Sequence, residues 1–111
     1  MTFEQYQWEA AKTAIYPQAG TGSWDAIDYC LLGLGGEIGE LLQKRKKIIR
    51  DGVHGDDRDK LCSELGDVLW YVAMLCKELQ SLTLTGIAMG NLEKLRDRQQ
   101  RGTLQGSGDN R

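Results

Sequence analysis

Apolar positions along this chain recur at intervals of three and four, and few stretches alternate apolar and polar residues with a period of two. The spacing predicts four helices. The first runs from about Thr2, whose hydroxyl can cap it, to Ile15, with Phe3, Tyr6, Ala10 and Ala14 near one face. The stretch from Tyr16 to Ser23 holds the single proline, Pro17, and two glycines, and breaks that helix. Ser23 caps a second, long helix reaching about Arg50, with the apolar stripe Ile27, Leu31, Leu34, Ile38, Leu41, Leu42, Ile48 and Ile49. Lys44, Arg45, Lys46, Lys47 and Arg50 put cations at the negative end of its dipole, and Asp51-Gly52 ends it. A charged loop covers Val53 to Arg58. The third helix spans about Asp59 to Leu79, with a buried face of Leu61, Leu65, Val68, Leu69, Val72, Leu75 and Leu79. The fourth spans about Thr85 to Gln100, with Ala88, Leu92 and Leu95 on one side. The remainder, RGTLQGSGDNR, is too polar and glycine-rich for a helix and reads as a tail that either frays or docks.

These elements make an all-α domain, an antiparallel bundle of about four helices over residues 1–100, followed by the tail at 101–111. A chain of 111 residues supports one domain. A bundle this small leaves much of its surface exposed, so the core is expected to be completed by association of identical copies. Fourteen Lys and Arg against sixteen Asp and Glu leave a net charge of -2, without the basic excess of a bulk nucleic-acid binder. No apolar run approaches the roughly 18 residues of a membrane span, and the first residues carry no apolar leader stretch, so a cytoplasmic protein is expected. The three cysteines, Cys30, Cys62 and Cys76, form no C-x-x-C pair and read as small buried hydrophobes in a reducing compartment. The lone His54 reads as a solvated loop residue.

The chemistry is carried by acids. Glu37-Ile38-Gly39-Glu40 lies on the second helix and Glu64-Leu65-Gly66-Asp67 on the third. Residues three apart on a helix sit about 60° apart around its axis, one turn along, so both side chains of each pair can face one object. Both pairs lie within the most apolar stretches of the chain, where an unpaired charge costs several kcal/mol. Gly35, Gly36, Gly39 and Gly66 lie in or beside the pairs, each costing a helix interior roughly 1 kcal/mol, as if something approached closely. Two acidic pairs facing each other repel, and a divalent cation resolves that conflict. All-oxygen ligation points to Mg²⁺, with Mn²⁺ as substitute, and away from zinc or a di-iron centre with its Glu-x-x-His motifs. Carboxylate-held Mg²⁺ commonly engages substrate phosphates. Asn91, Lys94 and Arg98, at spacings of three and four, offer phosphate donors on one face of the fourth helix. Lys44 and Lys47 are further candidates, read more simply as the solvated end of the second helix. No P-loop motif is present.

Taken together, Glu37-x-x-Glu40, then Glu64-x-x-Asp67 in SELGDVLWYVAML, then Asn91-x-x-Lys94 with Arg98, resemble the MazG-like family of all-α nucleoside triphosphate pyrophosphohydrolases. The tail GSGDNR resembles that of a small phage- and bacteria-associated branch. The family is similar in fold to the helical dimeric dUTPases and to phosphoribosyl-ATP pyrophosphatase. The resemblance implies cleavage of a nucleoside triphosphate between its α and β phosphates, and the small bundle leaves homodimer and homotetramer both open. It implies Mg²⁺ on Glu37, Glu40, Glu64 and Asp67, phosphates on Asn91, Lys94 and Arg98, and Tyr71 against the nucleotide. Trp8 and Trp24 are candidates for stacking on a base. Gly106-Ser107-Gly108 and Arg111 suggest an anion-binding tail that closes over the site, its own or a neighbour's. Three other readings stand beside this one. They are a helical interaction module whose carboxylates pair with lysines, a nucleotide binder without turnover, and a phosphoribosyl-ATP hydrolase.

Overall fold

The computed structural model describes residues 1–79 and 82–111. It contains four helices, α1 (Phe3–Ala11), α2 (Trp24–Asp51), α3 (Asp57–Glu78) and α4 (Leu84–Gln100), and no strand among the described residues. No helix is long and apolar enough to cross a membrane.

Local chemistry sets most of these ends. Thr2 caps α1 in a reciprocal box: its hydroxyl accepts from Gln5 N at 3.1 Å, and its own N–H donates to the Gln5 side chain at 2.7 Å. The expected run to Ile15 is too long. Thr13 donates its hydroxyl to the Ala10 carbonyl at 2.7 Å, competing with the backbone ladder, and Pro17 disfavours helical geometry just ahead. Ser23 caps α2 as expected, accepting from Ala26 N, and Gly52 ends it at φ +90°. Helix α3 starts at Asp57 because the Asp57 carboxylate accepts the His54 N–H and closes the turn. Helix α4 starts at Leu84, one residue before the expected Thr85, because Thr83 provides the cap, accepting from Gly86 N at 2.9 Å.

Helices α2 and α3 form an antiparallel hairpin, and α1 and α4 pack on α3 and on each other, their backbones standing apart from that of α2. Two buried polar side chains tie the elements together. Gln7 of α1 donates to the Ala73 carbonyl of α3 at 3.1 Å and accepts from Leu84 N of α4 at 3.0 Å. Glu78, 1% exposed, accepts from Tyr16 Oη at 2.6 Å, Gly20 N at 2.6 Å and Gly22 N at 2.9 Å. The loop meets it with φ +82° at Gly20 and +69° at Gly22, conformations that side chains beyond Cβ rarely adopt. Burial alone would raise the Glu78 pKa, but these donors outweigh it and hold it below the usual glutamate value.

The core is correspondingly local. Ala10, Tyr16, Ala26, Cys30, Ala73, Met74, Cys76 and Leu84 are buried together where the α1–α2 loop meets the end of α3. Much of the apolar face expected to be buried is not buried within one chain: Phe3, Leu31, Ile38, Leu42, Ile49, Leu65, Leu69, Leu79, Leu92 and Leu95 are all exposed. Cys62 is also exposed, against expectation, whereas Cys30 and Cys76 are buried. The radius of gyration, 16.8 Å, exceeds the roughly 13 Å of a compact domain of this length. The hairpin extends beyond its cover.

Glu78→Gln should lower the unfolding free energy by about 2–4 kcal/mol in urea titrations at pH 7, since it weakens three hydrogen bonds to a buried charge. Because the folded carboxyl has the lower pKa, the wild-type advantage is full above the ordinary glutamate range and shrinks as pH falls through the depressed value. Equal stability of the two proteins at pH 7 would contradict this role.

Candidate metal centre

The hairpin places Glu37 and Glu40 on α2 opposite Glu64 and Asp67 on α3. One carboxylate oxygen from each of Glu37, Glu64 and Asp67 lies within 4.8 Å of the others. Glu40 is outside this trio and exposed, although its charge still acts on Glu37. The trio is graded in exposure: Glu64 is 12% exposed, Glu37 half-buried and Asp67 open to solvent. Lys44, one turn beyond Glu40, forms an ion pair with Glu64 across the helices. The Glu37 pKa is raised, first by burial, then by the negative charges of Asp67, Glu64 and Glu40 and a hydrogen bond to Glu64.

Three carboxylates against one ammonium leave an excess of two negative charges when all are ionised. The donor set is all oxygen. A six-coordinate hard cation with bonds near 2.1 Å sets opposite ligand oxygens about 4.2 Å apart. The trio's oxygens lie within 4.8 Å of one another, close enough for small side-chain adjustments to bring them round a small divalent ion, so the residues fit one.

An aromatic wall adjoins the acids. Tyr71 sits one turn beyond Asp67 on α3, and its ring lies on Gly33 of α2: a Cβ there would come within 2.2 Å of Tyr71 Cε1. Trp70 meets Tyr71 edge-on at 4.9 Å and Tyr16 edge-on at 6.2 Å, while Tyr16 stacks on Tyr29 at 5.2 Å. Burial, then the charges of Tyr29, Glu37, Cys30 and Asp67, raise the Tyr71 pKa. Burial and the Asp67 charge do the same to Tyr6 of α1. Sequence reasoning missed both Gly33 and Tyr6. It singled out Gly35, Gly36, Gly39 and Gly66 instead, yet a Cβ at any of these meets nothing within 4 Å. Among the described residues, nothing crowds the space a side chain there would take.

The phosphate candidates are elsewhere. Asn91 and Lys94 are exposed on α4, whose backbone stands apart from that of α2. Arg98 is 5% exposed and donates to the Asp109 carbonyl at 2.7 Å. The tail folds back on this end of α4. Arg101 donates to the Arg111 carbonyl, and Arg111 packs on Gly106 while donating to the Gly108 and Leu104 carbonyls. Trp8 is exposed beneath the Lys12 ammonium, 3.7 Å from its ring centroid. Trp24 is exposed about 20 Å along α2 from Glu37.

The model of the MazG nucleotide pyrophosphohydrolase domain matches residues 27–103, the span that holds both acidic pairs and all of α4. The chain belongs to the MazG nucleotide pyrophosphohydrolase family. A relative, the Gene 37 protein of Mycobacterium phage L5, is 47% identical over 115 residues and is aligned over the whole of both chains. No solved structure matches. The MazG match covers the hairpin from Ile27 onward and α4 but leaves out α1, whose Tyr6 feels the Asp67 charge.

Gly33→Ala is expected to cost about 1–3 kcal/mol by overpacking against Tyr71, despite alanine's better helix propensity. Urea denaturation measures it. A variant as stable as the wild type would show that the ring is not held against α2.

Proposed function

We propose that this MazG-family chain is a Mg²⁺-dependent nucleoside triphosphate pyrophosphohydrolase. It cleaves ribo- or deoxyribonucleoside triphosphates between the α and β phosphates to the monophosphate and pyrophosphate, a reaction suited to clearing the nucleotide pool. The convergence of Glu37, Glu64 and Asp67 is the observation that carries this reading. Glu37, Glu40, Glu64 and Asp67 hold Mg²⁺, or Mn²⁺ in its place. Glu40 shares the helix face of Glu37, one turn along. The metal supplies charge neutralisation on the phosphate oxygens and a more acidic water.

The remaining steps belong to side chains. The carboxylates orient a water whose oxygen bonds to phosphorus as the bond to the α–β bridging oxygen breaks. The water's protons pass to carboxylate and solvent, and pyrophosphate departs with the bridging oxygen. No covalent nucleophile is required. Tyr71, fixed between Gly33 and Trp70, forms a wall for the nucleotide.

Asn91, Lys94 and Arg98 are the phosphate donors of this reading. They are exposed or tail-covered on α4, whose backbone stands apart from α2, and in this reading they act on a neighbouring copy, in a homodimer or homotetramer that also covers the exposed leucines. Arg98 lies beneath the tail, so its contact with phosphate requires the tail to open. One observation favours the second reading, a non-catalytic helical module: the Lys44–Glu64 ion pair. A single ammonium does not balance three carboxylates, which argues for the enzyme.

Pyrophosphate release from a panel of ribo- and deoxynucleoside triphosphates, with and without Mg²⁺, tests the proposal. Glu64→Gln and Asp67→Asn should each lower kcat/KM by about 10³-fold or more while leaving helical circular dichroism unchanged. Wild-type rates in both variants would refute the assignment, and a wild-type protein releasing no pyrophosphate would favour the module.

A further inference from the structure

Beneath the α2–α3 turn lies a cleft of about 220 Å³ that the carboxylate trio does not use. Lys44, Lys47 and Lys60 line it, with His54, Asp51 and Asp57. Its two acids are already engaged. Asp57 accepts the His54 N–H, and Asp51 takes the Arg50 guanidinium at 2.7 and 2.8 Å. The cations are less committed. Lys47 makes no ion pair among the described residues, and Lys60 has only the exposed Asp56 at 3.2 Å. Such surface pairs hold weakly.

The cleft adjoins the acidic trio. On α2, Glu37, Glu40, Lys44 and Lys47 follow at spacings of three, four and three, and so share one face. On α3, Lys60, Glu64 and Asp67 do the same. Along both helices the facing stripe therefore changes from acid to base toward the turn. Lys44 joins the two halves: it lines the cleft and pairs with Glu64.

We propose that this cleft is the subsite for the pyrophosphoryl end of the substrate. In it Lys44 exchanges Glu64 for a phosphate oxygen when the carboxylates are committed to a cation, and Lys47 and Lys60 hold the remaining oxygens. The assignment rests on the hydrolase reading above and adds a residue set that reading did not use. Pyrophosphate is compact and highly charged, and ammonium groups serve it as point charges. With Glu64 bound to a divalent ion, the Lys44 ammonium loses its partner beside an uncommitted Lys47. An anion that enters together with the metal restores the balance.

The probe is inorganic pyrophosphate, titrated calorimetrically into the full chain in Mg²⁺. Lys47→Ala with Lys60→Ala should weaken its binding about tenfold or more, the loss expected for charge-assisted hydrogen bonds. Arg45→Ala with Lys46→Ala removes equal charge from outside the cleft and should change binding by no more than about twofold. Lys44→Met should weaken pyrophosphate binding but tighten Mn²⁺ binding measured without it, because the ammonium no longer competes for Glu64. Circular dichroism confirms that each variant is folded.

Equal losses in the two double variants, no loss in either, or no pyrophosphate binding by the wild type would overturn the subsite. Failure of the subsite and of the activity are separable. A wild-type protein that cleaves nucleoside triphosphates while its pyrophosphate affinity ignores Lys47 and Lys60 rejects the subsite alone. Pyrophosphate held through those lysines with no triphosphate cleaved supports the subsite and rejects the hydrolase.

Discussion

Holding carboxylate oxygens of Glu37, Glu64 and Asp67 within 4.8 Å of one another sets like charges together, a repulsion that folding of a single chain only partly relieves. Lys44 pairs with one of these charges, and burial together with the neighbouring acids pushes the Glu37 pKa up. The arrangement persists because the hairpin is fixed by interactions remote from the acids. Gln7 and Glu78 pin the first helix, its following loop and the start of the fourth helix onto the end of the third.

The molecule treats its acids in two opposite ways. Glu78 is fully buried, has three donors and sits below its ordinary pKa. Its hydrogen bonds are met within the chain, so its role is structural. The trio has too few cations and donors, and Glu37 moves in the other direction. An acid satisfied by its own chain holds the fold, and an acid left in deficit marks where something else binds. The same contrast separates the local core from the leucines along the uncovered hairpin.

The helices were legible because capping and periodicity act locally: Ser23 and Gly52 bound the second helix as the sequence indicates. The end of the first helix was not, since Thr13 diverts a carbonyl through its hydroxyl. Periodicity identifies an apolar face without saying whose surface covers it. Leu65 belongs to the expected buried face and Leu42 and Leu92 to the expected apolar stripes, yet all three are exposed in a single chain. In the candidate site the i, i+3 acidic pairs were readable. Tyr6, Gly33 and the Lys44–Glu64 bridge were not, because each depends on which helices meet and at what register. Arg98 shows the same limit. Its spacing suggested a phosphate donor, and only tertiary structure places it against the tail.

Electron paramagnetic resonance of Mn²⁺ titrated into the purified protein near neutral pH tests the central claim most directly. The free-ion signal should fall with saturable uptake, return when excess Mg²⁺ competes, and show no such uptake when Glu64 and Asp67 are both replaced by their amides. Mn²⁺ that stays free in solution, or is taken up equally by the amide variant, would contradict the account.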